Sequence, residues 1–185
     1  AFRPLAGIIH AEIVDERVKI KVSDPQGLQM NFQLQVDGGL FGLHFINTGV
    51  PHVVHLLESK RALEELDVFT RGRALRFHER FQPAGSNANF AVIEDAHRIT
   101  VRTYERGVEA ETLACGTGSV ASALIAAALE KVESPVQVTT GSGEILSVYF
   151  AREAKGDQSR FTDVYLEGDA KVVYEADLWD ETLRQ

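Results

Sequence analysis

The sequence holds one cysteine, Cys115, in 185 residues. One cysteine cannot close an internal disulfide or build a Cys-rich zinc site. It also cannot supply chemistry that needs two thiols. Positive charge is short as well: 19 Lys and Arg stand against 27 Asp and Glu, a formal net charge of −8. That balance argues against a nucleic-acid binder, which normally presents a basic face. No apolar run approaches the roughly 18 residues of a membrane span. The longest, Val120 to Leu129, is broken by Ser122. The chain opens without Met and without a signal-peptide pattern. Residues 1–10 read as the middle of a longer protein, in a cytoplasmic, reducing setting.

What is present is ordinary for a globular chain: 44% hydrophobic and 25% charged residues, unlike a disordered one. The length suits one domain with a real core, or one domain plus a piece of another.

The first third alternates with period two. Residues 8–14 and 17–22 flank Asp15-Glu16 and predict a hairpin. Residues 30–36 and 40–47 flank Asp37-Gly38-Gly39, a stronger hairpin signal. Residues 52–57 read as another strand. Ser59 is placed to cap a helix through Leu66, and residues 67–81 predict a second helix, with Gly72 as its weak point. After a loop at 83–87, strands are expected at 88–93, 99–105, 135–140, 145–150, 162–167 and 171–174. Residues 154–160 read as a polar loop. A glycine-bearing turn, 112–118, leads into a helix at 119–132. That helix has almost no polar face, so it is expected to be buried on most sides. Its alanines allow close approach by other backbone. The resulting picture is an α+β fold: a curved, mostly antiparallel sheet around a central helix.

The segment from Thr103 to Ser119 carries the most chemistry. Cys115 precedes Gly116-Thr117-Gly118 at the mouth of the apolar helix. First-turn N–H groups lack internal partners and carry partial positive charge. They favour a thiolate, which predicts a lowered pKa for Cys115. They also accept a carboxylate, and the glycines permit close approach. A lone cysteine has a plainer reading, since free Cys is commonly buried and inert. Glu105 and Arg106 end a strand and point to different sides; alone, they are an ordinary solvated strand end. His52 can serve as acid or base, or tune a thiol, though a lone His in such a region is more often structural. Asn89 alone is unremarkable. The other five histidines show no metal-ligand spacing.

Together these segments resemble the diaminopimelate epimerase family. Ala114-Cys-Gly-Thr-Gly118 opening an Ala-rich helix looks like that family's second catalytic motif. Tyr104-Glu-Arg-Gly107 looks like the motif before it, Gly49-Val-Pro-His52 like its Gly-Asn-Pro-His segment, and Asn89 stands where a substrate Asn is expected. The resemblance implies an amino-acid epimerase that needs neither PLP nor metal. Two cysteines face the α-carbon from opposite sides; one thiolate removes the proton and the other thiol returns one. It implies that Cys115 is one of that pair and that Glu105 and His52 tune the thiols. Arg106 and Asn89 are then contacts to the far end of diaminopimelate. Gly116 and Thr117 offer N–H groups to the reacting carboxylate, where charge develops.

Two departures stand out. Val50 replaces the expected Asn, with Asn47 the nearest alternative amide. The first catalytic motif, with its own Cys, is absent. Residues 1–25 therefore read as remnant strands of an amino-terminal domain, 26–168 as the carboxy-terminal domain, and 169–185 as a segment returning to the first. The expected partners are diaminopimelate and the amino-terminal half of the same protein, with a homodimer through the uncovered surface also open. Nucleic acid and membrane are not expected partners. Three other functions compete: a proline racemase-like or phenazine-biosynthesis-like isomerase, a non-catalytic binding or assembly module, and a hydrolase using Cys115 with His52 as base.

Overall fold

Period-two segments become strands because successive side chains leave opposite faces of the backbone. The computed structural model describes residues 9–36, 38–155, 158–177, 179 and 181. Eleven strands among them form one sheet. These are β1 (Ala11–Val14), β2 (Arg17–Lys21), β3 (Gln26–Val36), β4 (Gly39–Asn47), β5 (Pro51–Leu56) and β6 (Asn87–Asp95). There follow β7 (Arg98–Glu105), β8 (Ala110–Thr112), β9 (Val136–Thr139), β10 (Ile145–Lys155) and β11 (Gln158–Asp169). Their order is β1-β2-β11-β10-β9-β7-β6-β5-β4-β3, with β8 paired to β7. Only β5/β6 and β7/β9 run parallel. The sheet stays open, with β1 and β3 as its edges. Three helices accompany it: α1 (Lys60–Glu64), α2 (Val68–Phe77) and α3 (Gly116–Ala128).

Both faces of the middle of the sheet are covered. On one face Ile46, Val54, Ala91, Val101 and Val148 pack around Val120, Leu124 and Ile125 of α3. On the other Leu43, Val53, Phe90 and Tyr104 pack against Leu63, Val68 and Leu75 of α1 and α2. Each such buried aliphatic or aromatic side chain stabilises the fold by roughly 1.5–3 kcal/mol. Strand β6 shows the division: Ala88, Phe90 and Val92 belong to the α1–α2 side, and Ala91 to the α3 side. By the same alternation Asn87 and Asn89 face α3.

Helix α3 contacts β4, β5, β6, β7, β9, β10 and β11, and residues 118–127 are all buried. Its serines do not bring orphan hydroxyls into that core. Ser119 Oγ donates to the Cys115 carbonyl at 2.9 Å and Ser122 Oγ to the Gly118 carbonyl at 2.8 Å. The expected buried central helix and the mixed, largely antiparallel sheet are therefore present.

Several boundaries differ from the sequence expectation. The second helix stops at Phe77, because His78 turns to φ −58°, ψ 137°. Its Nδ1 accepts from the Arg80 N–H at 3.2 Å and starts a separate 3-10 turn, Glu79–Phe81. The central helix runs from 116 to 128 rather than 119 to 132. Of the expected polar loop 154–160, residues 154, 155 and 158–160 are strand: β10 and β11 pair Ala154 with Ser159 and Lys155 with Gln158, while residues 156 and 157 lie outside the described residues. Polar residues there hid the pairing because it is carried by the backbone and not by apolar alternation. Residues 171–174 form no strand; Val172, Val173 and Tyr174 are exposed and pair with no neighbour among the described residues. Strand β8 has only three residues and escaped notice. Ile8 and Asp37, parts of the two expected hairpins, lie outside the described residues.

Gly72 is not a weakness in α2. A Cβ there would overlap the Cβ and Cγ of Tyr104, which is fully buried. The glycine lets the helix lie directly on β7. Alanine gains up to about 1 kcal/mol in helix propensity, but overpacking a rigid contact costs about 1–3 kcal/mol or more. Gly72→Ala is expected to lower stability by about 2 kcal/mol in urea unfolding. A variant as stable as its parent would reject this contact as the reason for the glycine.

Candidate active site

One edge of β7 is shared. Arg98–Thr100 pair with β9 in parallel, and Thr103–Glu105 pair with β8 antiparallel. Helix α3 starts between those two strands and passes beneath the sheet. This brings its first turn up against Thr103, two residues from Glu105 and thus on the same face of β7.

Cys115 is the N-cap of α3, with extended backbone at φ −133°, ψ 106°. It is almost fully buried. Its Sγ lies 3.7 Å from Thr117 Oγ1. A Cβ on Gly118 would overlap Asn89 Oδ1 and sit 3.2 Å from both Cys115 Sγ and Thr103 Oγ1. The absent side chain of Gly118 is therefore what allows the sulfur, the Asn89 amide and the Thr103 hydroxyl to converge.

The expected lowering of the Cys115 pKa is not found. Burial pushes the thiol up, and the Glu105 charge adds to that rise. The Thr117 hydroxyl and the N–H groups of Gly118 and Thr117 draw it back only in part. The helix start acts as foreseen, but loss of hydration outweighs it.

His52 is fully buried on β5, beside Asn89 of β6. Asn89 Nδ2 lies 3.1 Å from His52 Nδ1 and donates to the Val53 carbonyl at 3.0 Å. Thr103 Oγ1 donates to Asn89 Oδ1 at 3.0 Å. A chain of polar groups thus crosses three neighbouring strands. Burial drives the His52 pKa down to about 3, with the Arg106 charge acting in the same direction. His52 is neutral at physiological pH. Its Nε2 is buried and meets no hydrogen-bond partner among the described residues.

Asn89, expected at the far end of the substrate, is engaged within the chain. It is fully buried, its amide hydrogens serve Val53 and His52, and its oxygen serves Thr103. Asn47 likewise holds its own turn, its Oδ1 accepting from the Gly49 N–H at 3.0 Å.

Glu105 is half-buried, and its Oε2 accepts from Thr112 Oγ1 at 2.9 Å. Arg106 turns away from it: its Nη1 donates to the Ala84 carbonyl at 2.7 Å. Gly116 and Thr117 are the first residues of α3. Thr48 Oγ1 donates to the Thr117 carbonyl at 3.0 Å, tying that turn to the end of β4. Beside it a concavity of about 470 Å³ is lined by residues including Val22, Asp24, Thr48, Gly49 and Thr117.

Two contributors went unnoticed in the sequence. Asn87 accepts from the Arg106 backbone N–H at 2.8 Å and donates to the Pro51 carbonyl at 3.1 Å. It pins the turn before His52 to the turn after Glu105. Thr103 orients Asn89. Both were within reach of the period-two rule, counting back from Asn89 and Glu105 by two.

The family model for diaminopimelate epimerase matches residues 44–173. The chain belongs to the diaminopimelate epimerase family. The diaminopimelate epimerase of Aquifex aeolicus (strain VF5) is 44% identical over 184 residues, covering 98% of this chain and 62% of that protein. That of Hydrogenobaculum sp. (strain Y04AAS1) is 40% identical over 176 residues, covering 94% of this chain and 60% of that protein. The chain thus spans less than two thirds of these relatives. The fold resembles that of a probable proline racemase from Agrobacterium radiobacter K84, with a TM-score of 0.65 at 16% identity, covering 92% of this chain and 58% of that one. A phenazine biosynthesis protein from Bacillus anthracis aligns with a TM-score of 0.64 at 13% identity, covering 89% and 63%. At such identities the likeness speaks for the fold alone. Among the described residues, no helix is long and apolar enough to cross a membrane.

Proposed function

We propose that this chain supplies one face of the active site of a PLP-independent epimerase that interconverts LL- and meso-diaminopimelate. The observation that carries the proposal is Cys115 at the mouth of a buried helix, in the family's motif, with Glu105 and the His52–Asn89–Thr103 chain gathered around it. Cys115 is one of two catalytic cysteines. As thiolate it removes the α-proton from one face; as thiol it returns a proton when the reaction runs the other way. The second cysteine lies on the rest of the protein, since this chain has one. In the same proposal, residues 1–25 and 169–185 belong with that other half, 26–168 form the domain described, and the 185-residue chain is inactive alone.

Deprotonating an α-carbon places charge on the adjoining carboxylate. The N–H groups of Gly116 and Thr117, in the first turn of α3, are oriented before reaction to stabilise it. Glu105 acts on the Cys115 thiol through its charge, and Arg106 offers a cation to the distant carboxylate of the substrate. Asn89 is left out of the substrate contacts, and Val50 adds no polar contact at its position. A reducing cytoplasm fits a reaction that needs free thiols. His52 speaks against the hydrolase alternative, because a buried imidazole with a pKa of about 3 is a poor general base at neutral pH.

The test is the complete protein with LL-diaminopimelate in deuterium oxide. Formation of the meso isomer with deuterium at the α-carbon and no acyl-enzyme adduct is expected. Inversion of proline instead, or neither inversion nor exchange, would overturn the proposal.

A further inference from the structure

His52 can be neutral in two ways, with its proton on Nδ1 or on Nε2, and the two forms present opposite chemistry to a site. The surroundings choose between them. The Val53 carbonyl can only accept a hydrogen bond, so the group that approaches it at 3.0 Å must be the Asn89 NH₂ and not the Asn89 oxygen. That same nitrogen faces His52 Nδ1 at 3.1 Å. Nδ1 must therefore accept, and the ring proton must sit on Nε2. The Thr103 hydroxyl closes the argument from the other side, donating to Asn89 Oδ1 at 3.0 Å. An Asn89 amide turned over would set two acceptors against each other at Val53. A doubly protonated ring would set donor against donor at Nδ1.

We propose that Asn89 is a positioning residue, held in orientation by Thr103 and Val53, that locks His52 as the Nε2–H tautomer, so that the ring presents a fixed donor and not a base. Its functional consequence rests on the epimerase reading. The buried Nε2–H has no partner among the described residues. It is a donor left unspent within this chain, and an acceptor from the rest of the site reaches it only by displacing what covers it. Gly118 belongs to the device, because a side chain there would displace the Asn89 amide. On this account His52 moves no proton in the reaction. It holds one in place.

The experiment is long-range proton–nitrogen NMR on the complete protein with nitrogen-labelled histidine, the His52 signals being assigned by their loss in His52→Gln. A protonated Nε2 and a bare Nδ1 are expected near neutral pH. A protonated Nδ1, or a rapid mixture of both forms, overturns the proposal. Asn89→Asp replaces the donor with an acceptor and is expected to move the proton to Nδ1. The same variant should lower kcat on the order of 100-fold, with a smaller change in KM. An unchanged tautomer in that variant also overturns the proposal. Thr103→Val, which keeps shape but removes the hydroxyl, should lower kcat, and Thr103→Ser should restore it. Equal loss in both Thr103 variants would reject the orienting role. The tautomer is read without turnover, so a protein that fails on diaminopimelate still decides this inference.

Discussion

Cys115→Ala in the complete protein is expected to cut stereoinversion of LL-diaminopimelate by at least about a thousandfold, within the range for losing a positioned acid–base group. The fold should survive. The side chain is small, and its hydrogen-bonding partner, Thr117 Oγ1, lies at the long distance of 3.7 Å. The loss should also be lopsided. In the proposed mechanism the opposing thiol can still remove a proton from the stereoisomer it faces, but nothing remains to protonate the other face. Exchange of α-hydrogen for solvent deuterium should therefore persist in one stereoisomer without inversion. Undiminished inversion would show that Cys115 is a packing residue. Because burial raises this thiol's pKa, its alkylation in the 185-residue chain should accelerate only at a higher pH than that of an unhindered cysteine.

The second large effect is acid instability. His52 has a folded pKa of about 3, against about 6.5 for a free imidazole. Between those values the unfolded chain binds a proton that the folded one refuses. Stability from this group is whole above about pH 6.5 and is lost as pH falls towards 3. One such proton changes the folding equilibrium by up to tenfold for each pH unit. His44 adds to the same limb, since burial lowers its pKa too, with His55 and Lys131 contributing like charge. The carboxylates with lowered pKa values, among them Asp67, Glu94 and Asp95, act at lower pH. Urea unfolding from about pH 4.5 to 6.5 should show stability falling with acid, with His52 contributing up to one proton to the slope and His52→Gln losing that contribution. An unchanged slope in that variant would refute the assignment.

Much of the core could be read from the chain because its pattern is local. The alanine-rich stretch after Cys115 has no polar face, and it is indeed the buried helix. The β6 run is apolar on both sides because helices cover both sides. Gly72 misled because its reason is Tyr104, more than thirty residues away. The pairing of 154–155 with 158–159 was hidden because it is made by backbone, with few apolar side chains to signal it. In the site, Cys115, Glu105 and His52 stand out by residue type and spacing. The sign of the Cys115 pKa shift did not follow from its place at a helix start, because the burial that raises it depends on tertiary packing. The role of Asn89 depends on hydrogen bonds to β5 and β7 that sequence spacing does not encode.

Helix α3 is enclosed by strands that arrive both before and after it in the chain, from β4 to β11. Its apolar surface cannot be covered by any local hairpin. Covering it requires β10 and β11 to close over a helix made earlier, a union of segments far apart in sequence. Chains that depend on such distant encounters fold slowly, and they expose sticky surface while they wait. During synthesis, α3 emerges well before its last two covering strands. Until β11 docks, part of the apolar surface of α3 stays open, the kind of exposure that favours aggregation.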